Sequence, residues 1–521
     1  MTSPPPHLPH LPAGTAPGSV DLAAGGTLPA VWQSIWAAHP DRPVVHDPTR
    51  GWVTGAHLTA AAARLTEYLA GPTGLGVSHG DRVLLSGPTS ADLVIAHAAL
   101  LAMGAVVVPV NGAYRRDELA HIVRDAAPTA ALIHDADQRR WVTDVDPDVA
   151  AVPVAPAHPP APTVPPSHPP APADPAMIGY TSGTTGRPKG AVLSHANLLA
   201  AVRALELAWR WTDADVLVLT LPLFHMHGLG VGLHGTLGVG ARAVLLDGFS
   251  PDAVLDAVAG RTTGEPATMF FGVPTMYERL ASSSGVGAMS ALRLCVSGSA
   301  PLPAQTHRRF GELTGQAVLE RYGMTETAML VSNPFDGERR PGTVGFPLPG
   351  VELRLADDGE IQVRGPSVFA GYWRRPDAAA APDGSAFVDG WFRTGDLGHV
   401  DDDGYVSLVG RSKDLVISGG YNVHPREVEE AVAGHPDVAE CAVGGEPDPD
   451  WGEAVTAYVV VRPECGGGVG RAELRRFLGT RLAGYKHPQR VYAVDALPRN
   501  ALGKVQRHRL AESAAGREPV E

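Results

Sequence analysis

The chain has 521 residues, 44% of them hydrophobic and 19% charged, which is the composition of a globular protein with two or more domains. Its net charge of −13 gives no support to nucleic-acid binding. Three cysteines (Cys295, Cys441 and Cys465) are too few and too scattered for a disulfide scaffold or a zinc ribbon, so we expect a reducing compartment, the cytoplasm.

The N-terminal part alternates helices with short apolar strands. Residues 1–26 are rich in proline and glycine and are expected to form a disordered arm, and they lack the basic and apolar regions of an export signal. After this arm, the patterning predicts helices at 58–69 and 91–103 and strands at 81–86, 105–110 and 130–134. Short apolar strands between helices indicate a parallel sheet covered on both faces.

Two segments depart from this pattern. Eleven of the 23 residues at 153–175 are proline, which predicts an extended surface loop or linker. The stretch 216–241 carries no formal charge and is long enough to span a membrane, but it contains Pro222, three histidines and six glycines. We predict a buried strand, a loop and a tightly packed helix there. Its GxGxxG pattern follows a loop instead of a clean strand, so a dinucleotide site is not expected.

From residue 351 onward, apolar and polar residues alternate, which is typical of antiparallel, half-exposed strands. After Gly410 the pattern indicates a small α+β unit. Its predicted elements are helices at 425–434 and 471–483 and strands at 438–443, 457–461 and 490–493. We therefore place a domain boundary at 410–413, between a large domain at 27–410 and a small one at 411–521.

Lysine occurs at only four positions: Lys189, Lys413, Lys486 and Lys504. The remaining cations are arginine, although lysine is ordinarily a common residue. Because arginine replaces lysine freely on a solvated surface, a lysine that survives such a bias is a candidate for chemistry that arginine cannot do.

The first lysine closes a glycine-rich segment in which four hydroxyls and three glycines fall within ten residues. Glycines let backbone amides converge on an anion, hydroxyls add donors, and lysine adds a mobile charge, so the segment predicts a polyphosphate cradle. It is not a Walker A loop, because Gly-Lys-Ser/Thr is absent, and its flanks suggest a hairpin. The cradle residues are Thr181, Ser182, Gly183, Thr184, Thr185, Gly186 and Lys189.

Three further segments carry candidate site residues. The run at 320–327 offers a stackable Tyr322, a glycine turn and Glu326, and a carboxylate beside a polyphosphate most plausibly holds Mg²⁺. Asp396 lies in a turn where one carboxylate can accept both hydroxyls of a ribose. Lys504 follows a glycine turn near the C-terminus.

Together, these segments resemble the adenylate-forming superfamily of acyl-CoA synthetases, peptide-synthetase adenylation domains and firefly luciferase. The segments that carry the resemblance occur in the family's order and cover roughly residues 28–510: YTSGTTGRPKG, LPLFHMHGL, VSGSAPL, ERYGMTET, GWFRTGDLG, GRSKDLVISGGYNVHPREVE and LPRNALGKVQ. The resemblance implies an α/β and α+β fold, with a large N-terminal domain of two αβα layers plus a β-barrel and a small mobile C-terminal α+β domain. It also implies two half-reactions. A carboxylate attacks the α-phosphorus of Mg·ATP to give an acyl-adenylate, and coenzyme A then displaces AMP.

The resemblance implies roles for individual residues as well. Lys504 would bridge the attacking carboxylate and the α-phosphate, and Thr181 and Glu326 would ligate Mg²⁺. His225 is similar to the family's aromatic gate beside the reacting carboxyl, with a packed core histidine as the alternative. Lys413 would be the hinge. The other nucleotide-binding residues would be Ser299, Ala300, Pro301, Glu320, Tyr322, Gly323, Met324, Thr325, Asp396 and Arg411. Coenzyme A would contact Ser418, Gly419 and Gly420.

Within the superfamily, the motifs most resemble those of malonyl-CoA synthetases. A second carboxylate on the substrate needs a cation in the pocket, for which Arg339 or Arg340 is expected, with His227 and Met329 also lining the pocket. However, Leu330 and Val331 are apolar and would suit an alkyl chain, so a medium- or long-chain fatty acid is the alternative. A stand-alone adenylation protein that loads a carrier protein would share every nucleotide-binding residue and also stays open.

Overall fold

The structure is a computed structural model that describes residues 8–12, 14–15, 20–24, 26–71, 74–155, 169–181, 188–375, 386–411, 414–418, 421–463, 469–500 and 503–521. The chain divides into two compact units. Unit 1 comprises residues 1–352 and 363–392, and unit 2 comprises residues 353–362 and 393–521. The expected boundary at 410–413 lies inside unit 2, because residues 396–411 form a strand pair that stays with the C-terminal residues.

The helices of unit 1 begin where a side chain satisfies the first free backbone amides. Thr54, Ser90 and Asp135 each accept a hydrogen bond from the amide three residues later. The helices are α1 (Leu28–Ala38), α2 (Gly55–Ala70), α3 (Ala91–Ala102), α4 (Arg116–Ala126), α5 (Ala136–Val145), α6 (His195–Trp209), α7 (His234–Val239), α8 (Pro251–Val258), α9 (Pro274–Ala281) and α10 (Ala304–Thr314).

Two large sheets lie among these helices. The first eighteen strands in chain order are β1 (Pro43–Asp47), β2 (Gly51–Thr54), β3 (Arg82–Ser86), β4 (Val106–Pro109), β5 (Ala130–Ile133), β6 (Ala150–Val152), β7 (Pro175–Thr181), β8 (Lys189–Ser194), β9 (Val216–Leu219), β10 (Arg242–Leu245), β11 (Met269–Gly272), β12 (Leu294–Ser297), β13 (Leu319–Tyr322), β14 (Val331–Ser332), β15 (Phe346–Pro347), β16 (Glu352–Leu355), β17 (Glu360–Arg364) and β18 (Gly371–Tyr372). Of these, β16 and β17 belong to a third sheet, and the others form the two large sheets.

The described strands of one sheet follow the order β15–β14–β13–β12–β11–β9–β10–β1–β2, and those of the other follow β18–β8–β7–β4–β3–β5–β6. Their central strands run parallel. Every residue of β4, β5, β9, β11 and β12 is buried, as in parallel sheets covered by helices on both faces. Polar segments follow the carboxyl ends of β7, β12 and β13, where parallel sheets usually bind ligands.

The remaining strands are β19 (Phe387–Val388), β20 (Trp391–Val400), β21 (Val406–Arg411), β22 (Val416–Ser418), β23 (Tyr421–Val423), β24 (Val438–Asp448), β25 (Gly452–Val461) and β26 (Arg490–Ala493). A five-stranded sheet of β16, β17, β19, β20 and β21 contains the division between the units. This sheet occupies the part of the chain where the resemblance implies a β-barrel. The last sheet has the order β23–β22–β25–β24, with β26 on β25. The helices of unit 2 are α11 (Pro425–Ala433), α12 (Arg471–Leu478) and α13 (Leu510–Ser513). One face of the sheet packs with α11 and α12, and the other face packs with α13.

Part of the expected N-terminal arm is folded. Residues Leu8–His10 form a 3₁₀ turn in which the buried His10 ring bonds the Phe346 carbonyl at 3.0 Å. Arg210 donates to the His10 carbonyl at 2.6 Å. The disordered-arm expectation therefore does not hold for this turn.

The uncharged stretch 216–241 folds as β9, a buried π-helical segment (His227–Leu233) and α7. This confirms the predicted strand and packed helix, and it places the GxGxxG pattern inside a helical segment. Among the described residues, no helix is both long and apolar enough to cross a bilayer.

Candidate active site

A β-hairpin carries the glycine-rich motif. β7 and β8 pair antiparallel, and the Thr181 hydroxyl donates to the carbonyl of Lys189 at 3.4 Å across the open end. This is the hairpin that the sequence predicts. The intervening cradle residues lie outside the described ranges: Ser182, Gly183, Thr184, Thr185 and Gly186.

The hairpin is fixed from behind by α4. The Tyr180 hydroxyl donates to the Asp125 carboxylate at 2.6 Å, and the His121 ring bonds the Pro188 carbonyl at 2.9 Å. Burial, followed by the hydrogen bond to Asp125, raises the pKa of Tyr180, so this phenol stays protonated. Both ends of the cradle are therefore held in place, as a loop that must meet a polyphosphate requires.

The turn after β13 brings Glu326 beside this hairpin. A Cβ on Gly323 would overlap the backbone of Ala328, and a Cβ on Gly179 in β7 would overlap the Thr325 side chain, so both glycines permit a close approach. Thr327 completes the turn by donating its amide to the carbonyl of Met324 at 3.1 Å.

Glu326 is only 4% exposed, and it accepts a hydrogen bond from the Tyr372 hydroxyl at 2.9 Å. The Lys189 ammonium lies over the Tyr372 ring, 5.2 Å from its centroid. The donor set fits Mg²⁺, because a buried carboxylate and the Thr181 hydroxyl supply the hard oxygen ligands that this ion prefers.

The segment expected to line the adenine follows β12. Ser299 has a φ of +70°, a strained value for a residue other than glycine, and its hydroxyl lies 3.2 Å from Nδ1 of His227. Ser299 and Ala300 are half-buried and Pro301 is exposed. Glu320 accepts the amide of Leu302 at 3.0 Å, so its carboxylate ties this segment to β13.

One functional candidate was missed by the sequence reasoning: Arg321, in the middle of the ERYG motif. It is 5% exposed, and a Cβ on Gly298 would overlap its guanidinium. Its Nε and Nη2 have no hydrogen-bond partner among the described residues, and neither has Nε2 of the buried His227. Burial lowers the pKa of Arg321 to about 9, which leaves the group charged at neutral pH.

Burial, then Arg321 and His225, lower the pKa of His227, so this imidazole is neutral beside the guanidinium. His225 is half-buried and accepts the backbone amide of His227 at 3.2 Å. The sequence contains only a weak signal for Arg321 and His227. The one indication of Arg321 is that a charged residue lies within a short buried strand.

The arginines expected to bind the second carboxylate lie in the loop between β14 and β15. Arg339 donates from all three guanidinium nitrogens to backbone carbonyls, those of Pro334, Ala317 and Phe335, at 3.3, 2.7 and 3.2 Å. Arg340 pairs with Glu338 at 3.2 Å. Arg339 therefore stabilises its own loop, and its role as a ligand of the substrate stays a prediction. Met329 is buried.

The expected ribose ligands are paired in unit 2. Asp396 and Arg411 face each other across β20 and β21, and Nε of Arg411 lies 2.8 Å from the carboxylate of Asp396. The Asp396 side chain is largely buried, while Arg411 keeps about a third of its side chain exposed. The strand pairing therefore places the carboxylate and the guanidinium together, and their role in binding the ribose stays a prediction.

Lys504 lies on a short hairpin of unit 2 closed by a bridge between Arg499 and Val505. Asn500 accepts the amide of Lys504 at 3.0 Å and donates its own amide to the Lys504 carbonyl at 2.9 Å. The surrounding protein displaces water from the ammonium, although the residue keeps an exposed surface. This desolvation, and then Arg411, lowers the pKa of Lys504 to about 8, against the opposing charge of Asp396.

Ser418 is buried at the end of β22, where its hydroxyl accepts from the Gln489 amide at 3.3 Å. Lys413, Gly419 and Gly420, the expected hinge and coenzyme A residues, lie outside the described ranges. Lys486 pairs with the Glu427 carboxylate, with one contact at 2.7 Å, and so ties its turn to α11.

Unit 1 contains the β7–β8 hairpin with the glycine-rich motif and the buried Glu326 carboxylate, and unit 2 contains the Asp396–Arg411 pair. Together with the fold, these features define the class of adenylate-forming ligases. Comparison with known families agrees, because residues 32–373 match the AMP-binding enzyme model and residues 427–504 match the AMP-binding enzyme C-terminal domain model. The chain belongs to the AMP-binding enzyme family, and within it to the acyl-CoA ligases. The predicted fold class is confirmed.

Three relatives are informative. A malonate–CoA ligase of Arabidopsis thaliana is 36% identical over 493 residues, covering 85% of this chain and 80% of that protein. A feruloyl-CoA synthase of Amycolatopsis sp is 39% identical over 474 residues, covering 87% and 92%. The crystal structure of ATP-bound MatB from Rhodopseudomonas palustris superimposes with a TM-score of 0.84 at 38% identity, covering 94% of this chain and 99% of that one.

Proposed function

We propose that this enzyme joins malonate, or a closely related small dicarboxylate, to coenzyme A through an acyl-adenylate at the expense of ATP. The observation that carries the choice of acid is the buried Arg321. A buried guanidinium that lacks an oppositely charged partner destabilises a protein by about 3–5 kcal/mol. A carboxylate on the substrate supplies that partner.

The neighbours of Arg321 favour an anion of this size. Nε and Nη2 form the edge that binds a carboxylate with two parallel hydrogen bonds. The His227 imidazole and the Ser299 hydroxyl lie beside it and add neutral polar groups. A monocarboxylate with an apolar tail would leave Nε and Nη2 of Arg321 unsatisfied, which a binding site rejects strongly.

Two observations weigh on the alternatives. Leu330 and Val331 suggested an alkyl pocket, but both are fully buried, and Val331 pairs with Tyr322 in the sheet. Their apolar character thus has a structural cause. The 39% identity to a feruloyl-CoA synthase makes an aromatic acid the principal competitor, and such an acid has no second carboxylate for Arg321.

In the proposed reaction, Lys189 and the Thr181 hairpin hold the departing phosphates, and Asp396 and Arg411 hold the ribose. Mg²⁺ held by Glu326 and Thr181 would neutralise phosphate charge. Lys504 places its ammonium on the reacting carboxylate and the α-phosphate. Positioning and charge neutralisation provide most of the acceleration in such a transfer.

A panel of acids tests the proposal: malonate, methylmalonate, ferulate, octanoate and palmitate, each assayed for pyrophosphate release and for the CoA thioester. We expect kcat/KM for malonate to exceed that for ferulate and octanoate by about 10²-fold or more. A higher value for ferulate would contradict the assignment of the acid while leaving the reaction type in place.

The panel also separates the remaining alternatives. Adenylation without thioester formation from coenzyme A would favour an enzyme that loads a carrier protein. The cytoplasm remains the proposed compartment, on the basis of the three scattered cysteines.

A further inference from the structure

We propose that Tyr372 is a positioning residue that sets Glu326 and Lys189 for the nucleotide and its metal ion, a role that rests on the function proposed for those two groups. Its hydroxyl and its ring contact different members of the pair. Tyr372 lies outside the motifs that carry the resemblance to the adenylate-forming superfamily.

The backbone around Tyr372 is paired with the hairpin that carries the glycine-rich motif. Gly371 and Tyr372 form β18, which pairs antiparallel with β8 at Val192 and Ala191. Trp373 donates its amide to the carbonyl of Gly190 at 2.7 Å. This short strand is therefore locked to the arm of the hairpin that carries Lys189.

The same segment is bonded to the turn that carries Glu326. Phe369 donates its amide to the Glu326 carbonyl at 2.9 Å, and its ring meets the Tyr372 ring edge-on, with centroids 4.9 Å apart and planes at 79°. The backbone and the neighbouring aromatic ring thus fix both the position and the orientation of Tyr372.

The Tyr372 side chain contacts two oppositely charged groups, one through its hydroxyl and the other through its ring. The hydroxyl donates to Oε1 of Glu326 at 2.9 Å, a charge-assisted hydrogen bond in a buried site. The ring face receives the Lys189 ammonium at 5.2 Å, a cation–π contact. Tyr372 therefore orients the Glu326 carboxylate so that it can bind a cation. It also holds the Lys189 ammonium over its ring, a position from which the departing phosphates can attract it.

Two substitutions separate these contacts. Tyr372→Phe removes the hydroxyl and keeps the ring under Lys189, whereas Tyr372→Leu removes both. The matched control is Tyr458→Phe in unit 2, which deletes another tyrosine hydroxyl that donates to a glutamate, Glu446. Thermal melting checks that each full-length variant folds.

The measurement is the equilibrium affinity for ATP by calorimetry, with Mg²⁺ and with EDTA. The ratio of the two affinities is the gain due to the metal ion. We expect Tyr372→Phe to reduce this gain by about tenfold with little change in EDTA, because a hydrogen bond to a charged group is lost. We expect Tyr372→Leu to weaken ATP binding in both buffers, and Tyr458→Phe to match the wild type.

The outcomes separate this proposal from the proposed function. If the wild type gains affinity from Mg²⁺ and forms acyl-CoA, but Tyr372→Phe shows the same gain, the positioning role is overturned and the function stands. If the wild type binds ATP without any gain from Mg²⁺, the roles given to Glu326 and Tyr372 both fail. The isosteric Phe variant decides the result even if the Leu variant does not fold.

Discussion

Arg321 is buried and Arg339 is half-buried, and their hydrogen bonds differ. Arg339 spends its donors on three backbone carbonyls, whereas Nε and Nη2 of Arg321 have no partner among the described residues. The sequence could not distinguish the two. Which of these arginines keeps unbonded donors depends on the register of β12 and β13 and on the path of a loop, and neither can be read from composition or spacing.

This difference predicts an effect on stability. Replacing Arg321 by methionine removes a buried charge without breaking an ion pair, so we expect the free energy of unfolding to stay constant or to rise by about 1–4 kcal/mol. Urea denaturation of the unliganded protein measures this change. A loss of more than about 2 kcal/mol would mean that Arg321 serves the fold.

Lys504 predicts a pH dependence. Its pKa is lowered to about 8, and the charged ammonium is the form that neutralises the reacting groups. The value of kcat/KM for adenylation should therefore fall as pH rises through about 8, because kcat/KM reports the free enzyme. Lys504→Arg should be slower, since a rigid guanidinium fork replaces a mobile ammonium, but without that alkaline decline. An unchanged decline in Lys504→Arg would assign the titration to another group.

At the scale of elements, patterning predicted most of the structure. Strands predicted at 81–86, 105–110 and 130–134 occur at Arg82–Ser86, Val106–Pro109 and Ala130–Ile133, because fully buried parallel strands are short apolar runs. The helix predicted at 471–483 ends earlier, at Leu478, and its C-cap residue is Gly479. The strand predicted at 457–461 begins earlier, at Gly452, because β24 provides a partner along its whole length.

The elements also bring together three histidines that the sequence did not link: His97 of α3, His195 of α6 and His234 of α7. Nε2 of His97 lies 2.8 Å from Nε2 of His234, and all three side chains are buried. Burial, then the neighbouring histidines, lowers the pKa of His97 to about 3 and that of His234 well below its usual value. Burial also lowers the pKa of His195 to about 4, where Asp174 opposes and His79 reinforces the shift.

This cluster predicts acid sensitivity. The unfolded chain takes up protons near pH 6.5 and the folded cluster does not, so stability falls as pH drops from 6.5 toward 4. Each histidine contributes a loss on the order of 2 kcal/mol at pH 5. Urea unfolding at pH 7.5 and 5.0 should show a smaller loss for His97→Gln than for the wild type. Equal losses in both proteins would remove this explanation, and the exposed His57→Gln serves as the control.

At the scale of the whole molecule, the scarcity of lysine marks four positions as candidates for function. Lys189 begins β8 of the glycine-rich hairpin, and Lys504 lies near the Asp396–Arg411 pair, while the chemical roles of both lysines stay predictions. Lys486, which had no clear role, forms an ion pair that joins a turn to α11. The residues proposed to bind the acid were harder to predict, because Ser299, Arg321 and His227 come from segments that lie far apart in the chain.

Arg321 is proposed to select a dicarboxylate. The most direct test is the ratio of kcat/KM for malonate to that for isovalerate, in which an isopropyl group replaces the distal carboxylate. We expect a ratio well above 10² in the wild type and a decrease of about 10²-fold or more in Arg321→Met, mostly through loss of malonate turnover. The exposed Arg364→Met is the control and should keep the wild-type ratio. A ratio that is the same in Arg321→Met and in the wild type would contradict the account.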